Sequence, residues 1–311
     1  MNNKFDILLC FDANYNLQGE VTMMSLLKNT SSQLTFYIIH ENPVSLEKLV
    51  ERISTHPNVE NIYTYKFIKR DGVNFPSFDE SHMSEATYYR LFIGDYLPKK
   101  VKNIIYIDPD ITCINNFDTI MNQTLRMLND TDFLLAAKTE HIEATDSEVS
   151  VRLELTKNRY FNAGLTVINV EKWINQKYTL KLLEKMNYLG KRVMWFDQDI
   201  LNSYLDGDYL ELPTELNFTD LSLSVNEVKE QAVFYHYSGK KKPWTIKGFI
   251  SYGESFYQQI YRELFDNNYH IVHTYKRDSI RHFLVYLLSL KFFSLNYPFT
   301  FIKNFIKSMK S

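Results

Sequence analysis

Ile104-Ile105-Tyr106-Ile107-Asp108-Pro109-Asp110 is an apolar, β-prone run that ends in two carboxylates one residue apart. A short continuous run of this kind predicts a strand buried on both faces, as in parallel sheets. In an open α/β sheet, ligands bind beyond the carboxyl ends of the strands. Two acids placed there are costly unless something cationic balances them. A hard divalent ion is the natural partner, because oxygen ligands suit Mg²⁺ and Mn²⁺. Asp108 and Asp110 need not act alike: one can bind a metal directly while the other binds through water or holds a ligand hydroxyl.

The triplet alone has other readings. A solvated turn after a strand would leave the same pattern. A phosphatase of the haloacid dehalogenase class would too, with Ile111-Thr112 completing its motif and Asp108 acting as a covalent nucleophile. The rest of the chain has to decide.

Strand-like and helix-like segments alternate outward from the triplet. Ile7–Phe11 predicts a strand, 17–28 a helix, 34–39 a strand, and 45–53 a helix with Ser45 near its cap. A strand over 61–68 and a helix over 84–96 precede the 104–107 strand. Further strands are expected near 133–137, 164–169 and 232–236, with helices near 171–189 and 198–205. This order implies an α/β fold with a largely parallel sheet flanked by helices. Gly totals 9 and no glycine-rich phosphate loop follows an early strand. Phosphates, if bound, would be neutralised by metal and Lys rather than by a glycine cradle.

With 311 residues, 45% of them hydrophobic, the chain can build a substantial core. Tyr and Phe number 22 each, and most should be core. A net charge of −2 argues against a nucleic-acid partner. Cys10 and Cys113 lack metal-site spacing and fit a reduced compartment. No apolar h-region follows the N-terminus, so no secretory signal is expected. The glycosylation-like triplets at Asn29, Asn122, Asn129 and Asn217 therefore carry no weight.

Four more segments bear on the triplet. Phe11-Asp12-Ala13-Asn14-Tyr15 closes the first strand. Tyr160-Phe161-Asn162-Ala163-Gly164 opens a later one. Trp195-Phe196-Asp197-Gln198-Asp199 and His236-Tyr237-Ser238-Gly239-Lys240-Lys241-Lys242-Pro243-Trp244 follow. In this order, over roughly residues 5–250, the set resembles the family 8 retaining glycosyltransferases, which include glycogenin and bacterial galactosyl- and glucosyltransferases of surface polysaccharides. The downstream segments fit that pattern better than the phosphatase one, whose nucleophile strand normally opens the fold. A non-catalytic nucleotide-sugar or glycan-binding relative stays as a further alternative.

The resemblance implies a GT-A type fold and a metal-dependent, UDP-hexose-dependent hexosyltransferase. The donor would be UDP-glucose or UDP-galactose and the acceptor a hydroxyl of a glycan or glycolipid. Asp108, Asp110 and His236 would be the metal ligands, with Mn²⁺ the usual ion and Mg²⁺ the alternative. Asp12 would hold the uracil edge, Tyr15 would stack on the ring and Asn14 would support the nucleoside. Lys242 would bind phosphate, and Gly239 would permit close backbone approach. Arg90 and Asn162 would belong to the donor site, and Asp197 and Gln198 would face the reacting sugar. Simpler readings are an Asx turn at Asp12, a helix-surface salt bridge at Arg90, a solvated basic turn at 240–242 and a helix N-terminal acidic turn at 197–199. The family often has an acid shortly after the 133–137 strand. Here Lys138-Thr139-Glu140 follows, so Glu140 is the candidate substitute.

Composition changes near residue 270, giving an expected catalytic domain over 1–270 and a tail over 271–311. The tail carries Lys276, Arg277, Arg281, Lys291, Lys303, Lys307 and Lys310 against one acid, Asp278, among many aromatic residues. Ile302, Phe305, Ile306 and Met309 fall on one helical face. A helix lying on an anionic membrane surface is expected, with packing on protein as the alternative. The expected location is cytoplasmic, peripheral on the inner face of the cell membrane, and a homo-oligomer stays open.

Overall fold

The computed structural model describes residues 4–76, 84–140, 147–219 and 223–310. Among the described residues nine strands form two sheets: β1 (Lys4–Phe11), β2 (Gln33–His40), β3 (Val59–Lys66), β4 (Asn103–Ile107), β5 (Ile111–Cys113), β6 (Leu135–Thr139), β7 (Phe161–Asn169), β8 (Leu210–Glu211) and β9 (Phe234–His236). The main sheet runs β3-β2-β1-β4-β7-β6-β8. All its pairs are parallel except the two made by β7, which is antiparallel to both β4 and β6. This is the largely parallel sheet flanked by helices that the segment order implies, with β7 as an antiparallel strand that the order does not reveal.

Burial explains the strand composition. β4 and β7 are covered on both faces, so they lack the alternation of a half-exposed strand. One core lies on the face of Leu8, Tyr37, Ile104, Tyr106 and Trp173. A second lies on the face of Ile7, Leu9, Phe36, Ile105 and Ile107. Alternate residues of the same strands feed the two cores.

The 17–28 expectation matches the helix Asn16–Lys28. The 84–96 segment differs: it is a 3₁₀ helix over Glu85–Phe92 followed by one α turn, Ile93–Tyr96. Ser84 caps it by accepting from the Ala86 amide. Two further helices, Val170–Asn175 and Tyr178–Leu189, replace the single 171–189 segment.

The tail forms the helices Lys276–Leu288 and Pro298–Ser308, joined by a short 3₁₀ turn. They close a core of their own with the helix Ile246–Tyr252. Ile246 and Phe249 pack there with Phe283, Tyr286, Phe301 and Phe305. Phe283 and Phe305 stack with ring centroids 3.9 Å apart. The face expected to meet a membrane is therefore largely occupied. Phe305 is buried and Ile302 and Met309 are partly buried against this core, while Ile306 stays exposed. The packed stripe centres on Phe301 and Phe305, one residue round from the expected one.

The tail's own core adjoins His270, buried beside Trp244, Tyr257 and Tyr261. Its Nδ1 lies 2.6 Å from the Tyr257 hydroxyl. Burial pulls its pKa down from 6.5 to about 3. The folded chain thus refuses a proton that the unfolded chain accepts, so stability is complete above the unfolded value and declines as pH falls toward 3. Melting temperature should drop between pH 6 and 4 by more in the native protein than in His270→Gln. Parallel pH profiles for the two would show that His270 contributes nothing to acid sensitivity.

Candidate functional site

The acids at the end of β4 are seated by three neighbours. The Asp108 amide donates to the Gly164 carbonyl of β7 at 2.8 Å, and the Ile111 amide closes a turn onto the Asp108 carbonyl at 3.1 Å. The Thr22 hydroxyl, on the first long helix, reaches the Pro109 and Ile111 carbonyls at 3.1 and 2.8 Å. β5 then pairs antiparallel with β9, and Ile111 stands opposite His236. That register brings the imidazole to the carboxylates. Ligand atoms of Asp108, Asp110 and His236 lie within 4.8 Å of one another.

The two acids sit in different fields. Burial raises Asp108 above the ordinary carboxylate value, with the Arg90 guanidinium pulling the other way. Burial would raise Asp110 too, but the Lys242 ammonium and His236 hold it well below the usual range. Lys242 Nζ bonds Asp110 Oδ2 and the Tyr237 carbonyl. Asp110 Oδ1 is buried without a hydrogen-bond donor in good geometry, and His236 Nε2 faces it at 3.3 Å. Two carboxylates, one of them with an orphaned oxygen, and one imidazole make a donor set that fits Mn²⁺ or Mg²⁺.

Arg90 is buried and engaged on every nitrogen. Nε pairs with Asp197 at 2.6 Å, Nη2 with Asp108 at 3.1 Å, and Nη1 donates to the Ala163 carbonyl. Its guanidinium carbon lies 3.6 Å from the Tyr106 ring centroid. The Tyr106 hydroxyl donates to the same Asp108 oxygen that Arg90 meets. The surface salt bridge considered from sequence is absent here. Arg90 is instead an internal cation joining two acids from different elements. Burial pushes Asp197 up to about 7, against the pull of Arg90.

Asp197 and Gln198 lie in the first turn of the helix Phe196–Leu205. Asp199 fills the acidic-turn role by accepting from the Met194 and Trp195 amides at 2.7 and 2.8 Å. Gln198 accepts from the Ala163 amide at 3.0 Å and donates to the Tyr160 hydroxyl at 3.0 Å. Asn162 donates to Glu140 Oε1 at 2.6 Å, and Gln198 Nε2 lies 3.5 Å from Glu140 Oε2. Glu140 therefore stands among the residues expected around a donor sugar.

Asp12 follows β1 and does form the Asx turn, accepting from the Asn14 amide at 2.9 Å. Asn14 is exposed beside it. Tyr15 sits edge-on to Trp244 at 6.0 Å, and burial and the nearby carboxylates of Asp110 and Asp12 raise its hydroxyl's pKa. Gly239 has φ +78° in the turn after β9, with open space where a Cβ would stand. Backbone conformation, not a close approach, is what requires glycine there.

The sequence reading missed two contributors, Tyr106 and Asn217. Tyr106 looked like any residue of an apolar strand. Asn217 showed only as part of a glycosylation triplet, yet it is buried and bonded on both sides.

The family model "Glycosyl transferase family 8" matches residues 6–248. A lipopolysaccharide 1,3-galactosyltransferase of Salmonella typhimurium is 27% identical over 82% of this chain and 77% of its own length. A lipopolysaccharide 1,2-glucosyltransferase of Escherichia coli is 26% identical over 77% of this chain and 73% of its own. In fold, the chain is similar to the galactosyltransferase LgtC solved with donor and acceptor sugar analogues. The TM-score is 0.67 at 20% identity, covering 88% of this chain and 100% of that one.

Gly164 provides a direct test of the site's spacing. A Cβ there would come within 2.4 Å of His236 Cε1 and 3.0 Å of Asn162 Oδ1. Gly164→Ala should push the imidazole away from the acids and weaken Mn²⁺ binding about tenfold or more, with a much smaller effect on global unfolding. Calorimetric titration with Mn²⁺ and thermal melting would show the split. Unaltered Mn²⁺ affinity would mean that the ring's position is irrelevant to the cation.

Proposed function

The chain belongs to glycosyl transferase family 8, and on that premise we propose that it moves glucose or galactose from a UDP-sugar to a hydroxyl of a glycan or glycolipid in bacterial surface polysaccharide synthesis. Family membership sets the phosphatase reading aside. The observation that carries the proposal is the meeting of Asp108, Asp110 and His236 beside Lys242, at the carboxyl ends of the central strands. The lipopolysaccharide glycosyltransferases among the relatives support the acceptor class.

In this reading Asp12 accepts from the uracil N–H and Tyr15 lies along the base, with Asn14 beside them. Asp108, Asp110 and His236 would hold the cation. A divalent ion bound there neutralises charge on the departing diphosphate. Lys242 exchanges its contact with Asp110 for a phosphate oxygen, and the positive-φ turn at Gly239 lets that loop fold back. Arg90 keeps Asp108 and Asp197 aligned. Asn162, Glu140, Asp197 and Gln198 surround the sugar, and the last two stabilise positive charge growing at its anomeric carbon. The acceptor oxygen forms its bond on the face from which UDP departs. Its proton passes to a phosphate oxygen, so configuration is retained.

The test is a donor screen with Mn²⁺, reading UDP release and the anomeric proton of the product. UDP-glucose or UDP-galactose should serve, with an α-linked product from an α-linked donor. Asp108→Asn, Asp110→Asn and His236→Ala should each lower the rate about 10²- to 10³-fold. Full activity after dialysis against chelator would overturn the metal assignment.

The proposed location is the cytoplasmic membrane face. Among the described residues, no helix is long and apolar enough to cross a membrane. The tail nevertheless exposes Leu284, Leu288 (83%), Phe293 and Phe299 (79%) near Lys291, Lys303 and Lys307. Apolar side chains beside basic ones suit an anionic interface. Leu288→Ser with Phe299→Ser should abolish co-sedimentation with anionic liposomes at low salt and leave donor binding intact. A native chain that stays in the supernatant would refute this location.

A further inference from the structure

We infer that Asn217 is a positioning residue that fixes which nitrogen of His236 is offered to the metal, and that it links the metal site to the donor-sugar pocket. The inference rests on the metal reading above, but its geometry can be tested without metal. Asn217 ends the 3₁₀ turn Thr214–Asn217. The next residue, Phe218, is tied to β9: its amide donates to Phe234 and its carbonyl accepts from the His236 amide, at 3.0 and 2.9 Å. This holds the Asn217 side chain, 2% exposed, against the imidazole.

Hydrogen-bond polarity follows from one backbone group. The Gly164 amide can only donate, and it meets Asn162 Oδ1 at 2.9 Å. That atom is therefore the carbonyl oxygen of Asn162. Asn217 faces the same oxygen at 3.0 Å, so it must present its NH₂ there. Its own Oδ1 then points at His236 Nδ1, 3.0 Å away. An oxygen with no hydrogen requires Nδ1–H. In the neutral ring Nε2 is then left to carry the lone pair, and Nε2 is the nitrogen that faces Asp110. In that state the lone pairs on Nε2 and Oδ1 repel unless a cation, either a proton or a metal ion, lies between them, so the network aims the ring at a metal. The Asn162 NH₂, oriented by the same relay through its accepting oxygen, donates to Glu140. One side-chain amide thus serves both ends of the site.

Asn217→Asp and Asn217→Leu separate positioning from bulk packing. Aspartate still accepts from Nδ1–H, but it sets a carboxylate against Asn162 Oδ1 and disturbs the Glu140 end. Leucine loses both contacts. Mn²⁺ affinity, followed by electron paramagnetic resonance of free Mn²⁺, should fall about 10- to 100-fold in Asn217→Leu and stay within a few-fold of native in Asn217→Asp. KM for the UDP-sugar should rise in both. Equal loss of Mn²⁺ affinity in the two variants, or none in Asn217→Leu, would overturn the inference. Long-range ¹H–¹⁵N spectra of the metal-free native protein, at a pH where the ring is neutral, should show the proton on Nδ1. A proton on Nε2 would overturn it regardless of how the variants fold. Failure of native protein to bind Mn²⁺ while Nδ1 carries the proton would instead count against the metal reading alone.

Discussion

The site depends on one short antiparallel pairing, in which Ile111 stands opposite His236. Each partner is a three-residue strand, too short to hold register by its own ladder. A one-residue slip would turn the imidazole to the other face. The register is held from outside. Thr22 bonds the turn carrying the acids, Ser25 accepts from the Cys113 amide, and Phe218 bonds both Phe234 and His236. The long helix Asn16–Lys28 and the segment around Phe218 thus act as splints.

The same site contains a buried electrostatic framework. Removing a charge pair from water is costly unless geometry and hydrogen bonding are good. Arg90 meets that condition through hydrogen bonds to Asp108 and the Ala163 carbonyl and through the Tyr106 face, while its Nε faces Asp197 as an ion pair without hydrogen-bond geometry. It ties the end of β4 to the helix that carries Asp197 and Gln198. Asp108 and Asp110 are drawn apart as a result, one sharing Arg90 and the other sharing Lys242. Chemically identical side chains two residues apart therefore enter the site with opposite pKa shifts.

Much of this is legible in the chain, but unevenly. The central strands and the first helix are visible because apolar content and period are local properties. The acids, the histidine and the lysine are visible because their order resembles a family. The antiparallel direction of β7 leaves no local trace, since strand direction is a property of the neighbours. β5 is too short to give a period. Asn217 is the clearest loss: an asparagine after Pro213-Thr214-Glu215-Leu216 gives no sign that its two amide atoms will meet Asn162 and His236. The tail was legible as an amphipathic helix, but not in its rotation. Phe301 is drawn inward by Phe249 of the helix Ile246–Tyr252 and Phe305 by Phe283 of the preceding tail helix.

The junction beneath the tail has a practical meaning. Thr245 caps the helix Ile246–Tyr252 and bonds back to the Lys242 carbonyl, while Gly248 packs so closely on that carbonyl that a Cβ would sit 1.9 Å from it. The far side of this helix, through Ile246 and Phe249, is roofed by the tail. Gln258 and Val272 stitch Pro243 and Trp244 to the same region. A protein engineer who trims the chain at the change in composition would strip apolar cover from the helix that buttresses the lysine loop. The apparent domain boundary is thus a poor place to cut: residues 271–311 are architecture for the Lys242 loop as well as surface, and under the role proposed for Lys242 their removal would loosen the hold on phosphate.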